Sequence, residues 1–281
     1  MSAKSIVFVH RFGEKMASYR YRAAMPAEAV GRINGFRTAI NNGEAEIAVY
    51  SKPTPEDFAG AQAAKAEGVK IIADLGDDHF ATDQVYHDFA KLADAIVCPT
   101  QAMRARIFDY TKLDSAVIPD PYEEEESAPH ADGDNLLWFG NIVNIKDITN
   151  VSHLLAGRTL RVVSGPRLLP TVIPWSPENI RIELARANIA LFPTRPGAEH
   201  KSPNRLLNAI RAGIFPVCMK HPAYMEFRSM VWVGHFPTGL RWTDAFRGEL
   251  NALVKGAQDY IRDRYSPAEV GRQWAAFLES V

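Results

Sequence analysis

Short apolar runs rich in β-branched residues recur along this chain, each followed by a stretch that carries a helix start, and few folds accommodate that rhythm. It is the pattern of βαβ units on mainly parallel sheets, whose strands are apolar throughout because helices cover both faces. Strands are expected at 5–10, 46–51, 69–75 and 95–100, and again at 135–139, 159–164, 188–194, 215–219 and 230–233. Between them, Thr54-Pro55-Glu56-Asp57 supplies a capping hydroxyl, a proline at the first helical position and an acid suited to a capping box, and Gly68 ends that helix. Thr100 caps a helix over 101–110, and Ser176-Pro177-Glu178 opens one that runs to about 187. The stretch 242–265 reads as one long amphipathic helix, and Ser266-Pro267-Ala268-Glu269 caps a last helix to 281.

The rhythm breaks once. Pro119-Asp120-Pro121 leads into 122–134, where four consecutive glutamates, 123–126, have the composition of a solvated linker. The expected organisation is therefore an α/β lobe at 1–121, an acidic linker at 122–134, a second α/β lobe at 135–265 and a terminal helix at 266–281. With 281 residues, 47% hydrophobic and 23% charged, the chain is neither disordered, collagen-like nor a disulfide scaffold. Lys+Arg 32 against Asp+Glu 33 leaves a formal charge of -1, so nucleic acid is not indicated as a partner except through a local basic cleft. Cys98 and Cys218 lie in apolar runs and are expected to be reduced and buried. No apolar run reaches the ~18 residues of a spanning helix, and the first residues enter a strand directly, so the expectation is a cytoplasmic protein without a signal peptide.

The richest segment for chemistry is 188–224. An apolar strand ends at Pro193-Thr194, a loop with Gly197 follows, and Lys201-Ser202-Pro203-Asn204-Arg205 opens a helix that closes at Gly213. Lys201, Arg205 and the free N–H groups of a helix N-terminus then share one strand's carboxyl end, where a phosphate finds both charge and hydrogen bonds. The alternative is a solvated loop with two ordinary basic residues. Asn204 and Asn208 are four apart and share a helix face.

That segment resembles the donor-site region of GT-B glycosyltransferases, especially the retaining group known as family 4, in which a strand ending in Pro, a basic loop, a helix and Gly-x-Pro-Val follow one another. Here the last element stands as Gly213-Ile214-Phe215-Pro216-Val217, one residue longer. The strand and turn through Gly140 and Asn141 resemble those opening the family's donor domain, and Val172-Ile173-Pro174-Trp175-Ser176 resembles the segment framing the nucleotide base. Residues 93–121 are similar to the end of the first domain, and the last helix to the one that crosses back to it. The resemblance implies two Rossmann-like parallel-sheet domains facing a cleft and transfer of a sugar from a nucleotide-diphosphate donor to an acceptor hydroxyl, with retention. It implies no tightly bound cofactor and no required metal, the nucleotide sugar being a co-substrate. Donor contacts fall on Gly140, Asn141, Trp175, Ser176, Thr194, Lys201, Asn204, Arg205 and Asn208, with Lys201 and Arg205 neutralising the leaving diphosphate. Asn208 stands where the family carries a glutamate for the donor ribose, and His200, beside Glu199, where it carries a loop acid.

Two further clusters follow strands of the first lobe. Asp77, Asp78 and His79 can orient an acceptor hydroxyl or act as general base; Asp78, His79 and Lys201 are the catalytic candidates, and a turn with a helix cap is the alternative. The loop 10–22 gathers Gly13, Ser18, Arg20 and Arg22, which with Asp77 form the candidate acceptor side; incidental surface arginines are the alternative. Lys146 after Gly140-Asn141 is a weaker diphosphate candidate. His87, His130, His153, His221 and His235 show no metal-ligand spacing. Two rivals accompany the transferase: a sugar-nucleotide epimerase on the same architecture, and a non-catalytic nucleotide-sugar-binding module. The resemblance leaves the hydroxyl acceptor unidentified, with a glycan, a lipid and a modified nucleic-acid base all open.

Overall fold

The computed structural model describes residues 3–155, 157–165, 171–195 and 197–281. The chain divides into two compact units: Met1–Pro121, His200–Ser202 and Arg264–Val281 form unit 1, and Tyr122–Glu199 with Pro203–Asp263 form unit 2.

Unit 1 is built on six parallel strands, β1 (Lys4–Val9), β2 (Phe36–Ile40), β3 (Ile47–Ser51), β4 (Lys70–Asp74), β5 (Ala95–Cys98) and β6 (Ala116–Val117). Their order is β2-β1-β3-β4-β5-β6. Alternate side chains feed two cores. Phe8, Val49, Ile72 and Val97 meet the helices Met25–Gly31 and Pro267–Ser280, whereas Ala48, Ile71, Ala73 and Cys98 meet Pro55–Ala66, Gln84–Leu92 and Gln101–Thr111. The capping box at Thr54 and the Thr100 cap form as their sequences dictate. The strand Phe36–Ile40 was not expected, because FRTAI is neither a continuous apolar run nor a strict alternation. It is an edge strand, and one side of the backbone needs no second partner.

Between β1 and the helix Met25–Gly31 the chain widens into a π-helical turn, Arg20–Ala24, and this turn points Arg22 inward. Arg22 is 4% exposed. Its Nε donates to both Asp74 carboxylate oxygens at 3.1 and 3.0 Å, its Nη2 to Asp74 at 2.6 Å, and its Nη1 to the Ile118 carbonyl at 2.7 Å and to Asp120 at 3.2 Å. The Ser51 hydroxyl donates to the same Asp74 carboxylate at 2.8 Å, and the guanidinium lies 5.4 Å from the Trp274 ring. Arg22 is therefore not an acceptor-lining residue as expected. It is the buried tie between the ends of β3, β4 and β6 and the last helix.

Unit 2 carries β7 (Leu136–Phe139), β8 (Leu160–Ser164), β9 (Val172–Pro174), β10 (Ile189–Phe192), β11 (Phe215–Cys218) and β12 (Trp232–Val233). They are again all parallel, in the order β12-β11-β10-β7-β8-β9. One core joins Leu136, Trp138, Leu191 and Val217 to Phe236, Leu240, Leu250 and Val254. The expected single helix over 242–265 is two, Phe236–Ala245 and Leu250–Tyr265. The break falls where Phe246 leaves helical geometry to stack on Trp242, centroids 5.0 Å apart, just before Gly248. Both cysteines are free and buried, as expected. No helix among the described residues is long and apolar enough to cross a membrane.

The stretch expected to be a solvated linker is instead bonded along unit 2. Ser127 donates its N–H to the Arg211 carbonyl at 2.9 Å, and His130 to that of Gly213 at 2.9 Å. Gly213 takes a left-handed φ of +84°, and a Cβ there would come within 2.4 Å of the Ala128 carbonyl, so glycine is required on both counts. The Glu126 carboxylate gathers Arg211, Arg262 and Lys255. The acidic run has complementary charge waiting for it on two helices.

Removing Arg22 leaves Asp74 and Asp120 buried without their cation. Arg22→Ala is expected to destabilise unit 1 by ~3–5 kcal/mol, measured by urea unfolding. The hydrogen bond from Arg262, opposed by partial burial and aided by Lys255 and Arg211, lowers the Glu126 pKa from 4.5 to about 2. A depressed carboxylate stabilises fully above its unfolded value and loses that contribution as pH falls towards about 2. Glu126→Gln is therefore expected to melt lower at neutral pH, and its melting temperature should fall less than wild type as the pH is lowered across that window.

Candidate functional site

In open parallel sheets ligands bind beyond the carboxyl ends of the strands, where the strand order reverses. In unit 2 that point lies between β7 and β10. β7 delivers Gly140 and Asn141, and β10 delivers Thr194 and Arg195, followed by the helix Asn204–Arg211. No side chain caps the start of that helix, which follows Pro203.

Arg205 lies in the first turn of that helix. Its guanidinium lies 5.5 Å from the Phe192 ring and 5.9 Å from the Trp138 ring, and Nη1 donates to the Phe139 carbonyl at 3.2 Å. A Cβ on Gly140 would come within 2.9 Å of that Nη1 and 3.2 Å of the Trp138 ring. A side chain there would make the guanidinium shift. Arg195, directly after the end of β10, donates to the Val143 carbonyl at 3.3 Å with Asp147 at 3.7 Å. Arg195 was not among the residues expected at the site. Its signal was its position, a basic residue directly after the strand-ending Pro193-Thr194.

The other expected donor contacts divide. Trp175 is half-buried just after β9, with its N–H bonded to Ser164 at 2.6 Å. Thr194 is half-buried, and Asn204 begins its helix. Ser176 and Asn141 are caps: Ser176 accepts from Asn179 at 3.0 Å and Asn141 from Val143 at 3.2 Å. Asn208 is 6% exposed, and its Oδ1 accepts the Glu123 N–H at 2.9 Å. The carbonyl expected to meet a ribose is committed to the segment that follows Pro121. Glu199 bonds back to the Gly197 N–H at 3.0 Å, and Lys146 is exposed on a short helix.

In unit 1 the order reverses between β1 and β3. His10, at the end of β1, is 1% exposed, with one ring nitrogen 3.1 Å from the Phe12 carbonyl and the other 3.1 Å from the Ser18 hydroxyl. Burial holds its pKa below the ordinary imidazole value. Ser18 is thereby engaged, Gly13 is exposed in a turn, and Arg20 donates to the Glu14 carbonyl at 2.8 Å. Lys52, just after β3, adopts a left-handed φ of 52°, which a lysine seldom takes without cause. It reaches Asp77, Nζ to Oδ2 3.3 Å, and lies 5.7 Å from the Phe12 ring.

Asp77 is 3.9 Å from His79 Nε2. Burial raises its pKa, but Lys52, Lys201 and His79 together outweigh that and keep it below the ordinary carboxylate value. Asp78, expected among the catalytic groups, turns away: its side chain is 8% exposed and accepts from Arg106 Nε at 2.7 Å. The adjacent acids thus have different partners, and the imidazole beside Asp77 is 42% exposed. Lys201 belongs to the short stretch His200–Ser202 that groups with unit 1, whereas Arg205 belongs to unit 2. Burial lowers the His200 pKa, against the pull of Asp78 and Asp77. Among the described residues no three His, Cys, Asp or Glu side chains are arranged to hold a metal ion.

No protein-family model matches the chain, and no curated protein matches it in sequence. Solved structures do match over its length. An α,α-trehalose-phosphate synthase (UDP-forming) from Burkholderia vietnamiensis superposes with a TM-score of 0.64 at 11% identity, over 100% of both chains. The apo form of the lipopolysaccharide outer core galactosyltransferase WaaB gives 0.59 at 13% identity, over 98% of this chain and 99% of that one. A UDP-GlcNAc 2-epimerase from Neisseria meningitidis, bound to UDP-GlcNAc, gives 0.59 at 9% identity, over 99% and 100%. At such identities the likeness is one of fold. The fold is the GT-B kind, two Rossmann-like parallel-sheet units, as the resemblance implied.

Gly140→Ala sets a methyl group against the Trp138 ring and makes the Arg205 guanidinium shift. The expected cost is ~1–3 kcal/mol of overpacking in urea unfolding, larger than the cost of Asn141→Ala on the neighbouring exposed cap.

Proposed function

We propose that the chain is a glycosyltransferase that moves a sugar from a nucleotide-diphosphate donor to an acceptor hydroxyl, with retention. The observation that carries this reading is a pair of arginines that follow β10 at the switch point and both reach the end of β7, Arg195 to the Val143 carbonyl and Arg205 to the Phe139 carbonyl. A nucleoside diphosphate departs as an anion, and a guanidinium pair favours that charge as it develops. As the bond from the sugar carbon to the diphosphate oxygen breaks, its electron pair goes to the diphosphate. The acceptor oxygen forms the new bond to that carbon, and its proton passes to the departing diphosphate oxygen. Trp175 supplies a ring face for the base, and Thr194 and Asn204 supply polar contacts.

On unit 1, His79 beside the ionised Asp77 is the group that orients the acceptor hydroxyl, and Lys201 joins Lys52 in keeping the Asp77 carboxylate charged. The epimerase among the fold's matches supports a second reading, conversion of a sugar nucleotide with no acceptor.

A thermal-shift titration with UDP, GDP, ADP, TDP and CDP tests the donor site. A ligand at ~100 times its Kd stabilises by about 2.7 kcal/mol, so one of the five is expected to raise the wild-type melting temperature clearly. Arg205→Ala is expected to weaken that nucleotide at least about tenfold, the worth of one charge-assisted hydrogen bond. Incubation of the matching nucleotide sugar without acceptor then separates the two readings: an epimerase converts it, a transferase leaves the sugar's configuration unchanged. No shift with any nucleotide sinks both, and Lys201→Ala with undiminished transfer sinks the part given to Lys201.

A further inference from the structure

Asparagine is followed by glycine twice in the chain, at Asn34-Gly35 and at Asn42-Gly43. The two pairs flank one edge strand, β2, and all of their residues are exposed. Before a glycine, an asparagine side chain meets no Cβ when the next backbone nitrogen approaches it, and the glycine adopts whatever dihedrals ring closure needs. In a folded chain the outcome then depends on how freely the backbone on either side of that bond can turn.

The two pairs differ in that freedom. Asn34 and Gly35 are the central residues of a turn closed by the Phe36 N–H on the Ile33 carbonyl at 3.3 Å. The Gly35 carbonyl also accepts the Lys4 N–H at 2.8 Å, which fastens the turn to the start of β1. Asn42 donates its own N–H to the Ile40 carbonyl at 2.8 Å, and the next backbone bond is that of the Glu46 N–H to Ser5 at 2.9 Å. Among the described residues, neither the Asn42 side chain nor the N–H and carbonyl of Gly43 has a hydrogen-bond partner.

We propose that Asn42 is a modification site, at which the chain deamidates through a cyclic imide with Gly43 while the closed turn spares Asn34. A base in solution takes the Gly43 N–H proton, and the nitrogen forms a bond to the side-chain carbonyl carbon of Asn42. The bond from that carbon to the side-chain nitrogen breaks, and the nitrogen leaves with a proton from water as ammonia. Water then opens the imide. Attack at the side-chain carbonyl gives aspartate, and attack at the main-chain carbonyl gives isoaspartate, whose backbone is longer by one methylene.

The change falls beside a residue that holds the end of β1. Asn41 stands at a left-handed φ of 62°, accepts the His10 N–H on Oδ1 at 2.7 Å and donates its own N–H to the Phe8 carbonyl at 2.9 Å. The lengthened backbone of isoaspartate begins directly after Asn41 and works against both bonds, and so against the seat of the buried His10.

The test is peptide mapping by mass spectrometry of the full chain, aged well below its melting temperature in neutral and in mildly alkaline buffer. Cleavage after Arg32 and Arg37 puts the two asparagines on separate peptides. The Asn42 peptide is expected to gain the mass of an amide-to-acid exchange and to split into aspartate and isoaspartate forms, faster at the higher pH. Its conversion is expected to outrun that of the Asn34 peptide at least about tenfold, the worth of the two hydrogen bonds that must open around Asn34. In urea, where neither turn persists, that gap is expected to close. Equal rates in the folded protein, or no conversion at Asn42, overturn the proposal.

Asn42→Gln, whose longer side chain closes a larger ring far more slowly, is expected to abolish the change. Aged wild type is expected to melt below fresh wild type, and aged Asn42→Gln to melt as it did when fresh. An isoaspartate-rich sample that melts unchanged overturns the consequence drawn for Asn41 and His10. No nucleotide enters these measurements, so their outcome is independent of the donor-site reading.

Discussion

The order of unit 1 hangs on a single buried cation. Arg22 satisfies Asp74 at the end of β4, Asp120 beyond β6 and the Ile118 carbonyl, while Ser51 at the end of β3 adds its hydroxyl to Asp74. Charges taken out of water are tolerated only when fully paired, so each of these strand ends is held wherever the guanidinium is held. Asp74 lies three residues before Asp77, and Lys52 donates its N–H to the Asp74 carbonyl at 3.2 Å. The loop bearing Asp77 and His79, and the strained backbone of Lys52, thus rise from a fixed floor. A π-helical turn is what brings Arg22 to it, since an ordinary helix would direct the side chain elsewhere.

Unit 2 solves a different problem, how to keep a cation rigid near the surface. An arginine in solvent is mobile and well hydrated, and ordering it costs side-chain entropy on binding. Arg205 has that cost reduced beforehand by two aromatic faces and a backbone carbonyl, beside a position 140 that has no side chain. The acidic segment 123–126 shows the same economy. Glu126 faces three cations and Glu123 is fastened to Asn208, so a run that composition alone assigns to solvent becomes part of the framework under the helix Asn204–Arg211.

Much of this was legible in the sequence, and the exceptions have physical causes. The long apolar strands appeared where expected because a strand buried on both faces must be apolar throughout. The short or edge strands, Phe36–Ile40, Ala116–Val117 and Val172–Pro174, were not seen, because their residues are only partly covered and carry no such run. Thr54, Thr100, Ser176 and Ser266 announced helix starts correctly, since capping is decided within four residues. Among candidate site residues the local reading was weaker. Arg22, Asp78 and Asn208 have the right chemistry in the right segment, and each is turned inward to a partner between 28 and 98 positions away.

By itself, then, the sequence determined the alternation of strand and helix, the two parallel-sheet halves, the helix starts and the strand ends at which polar residues collect, because each follows from periodicity, capping or covering over a few residues. Only the tertiary structure decided the strand orders, and so which strand ends lie at a reversal, and which polar side chains remain available there. Those outcomes depend on pairings across the chain: Arg22 with Asp74 and Asp120, Arg106 with Asp78, Glu123 with Asn208. A buried charge or hydroxyl takes the partner that folding brings to it, and no local pattern records which one that is.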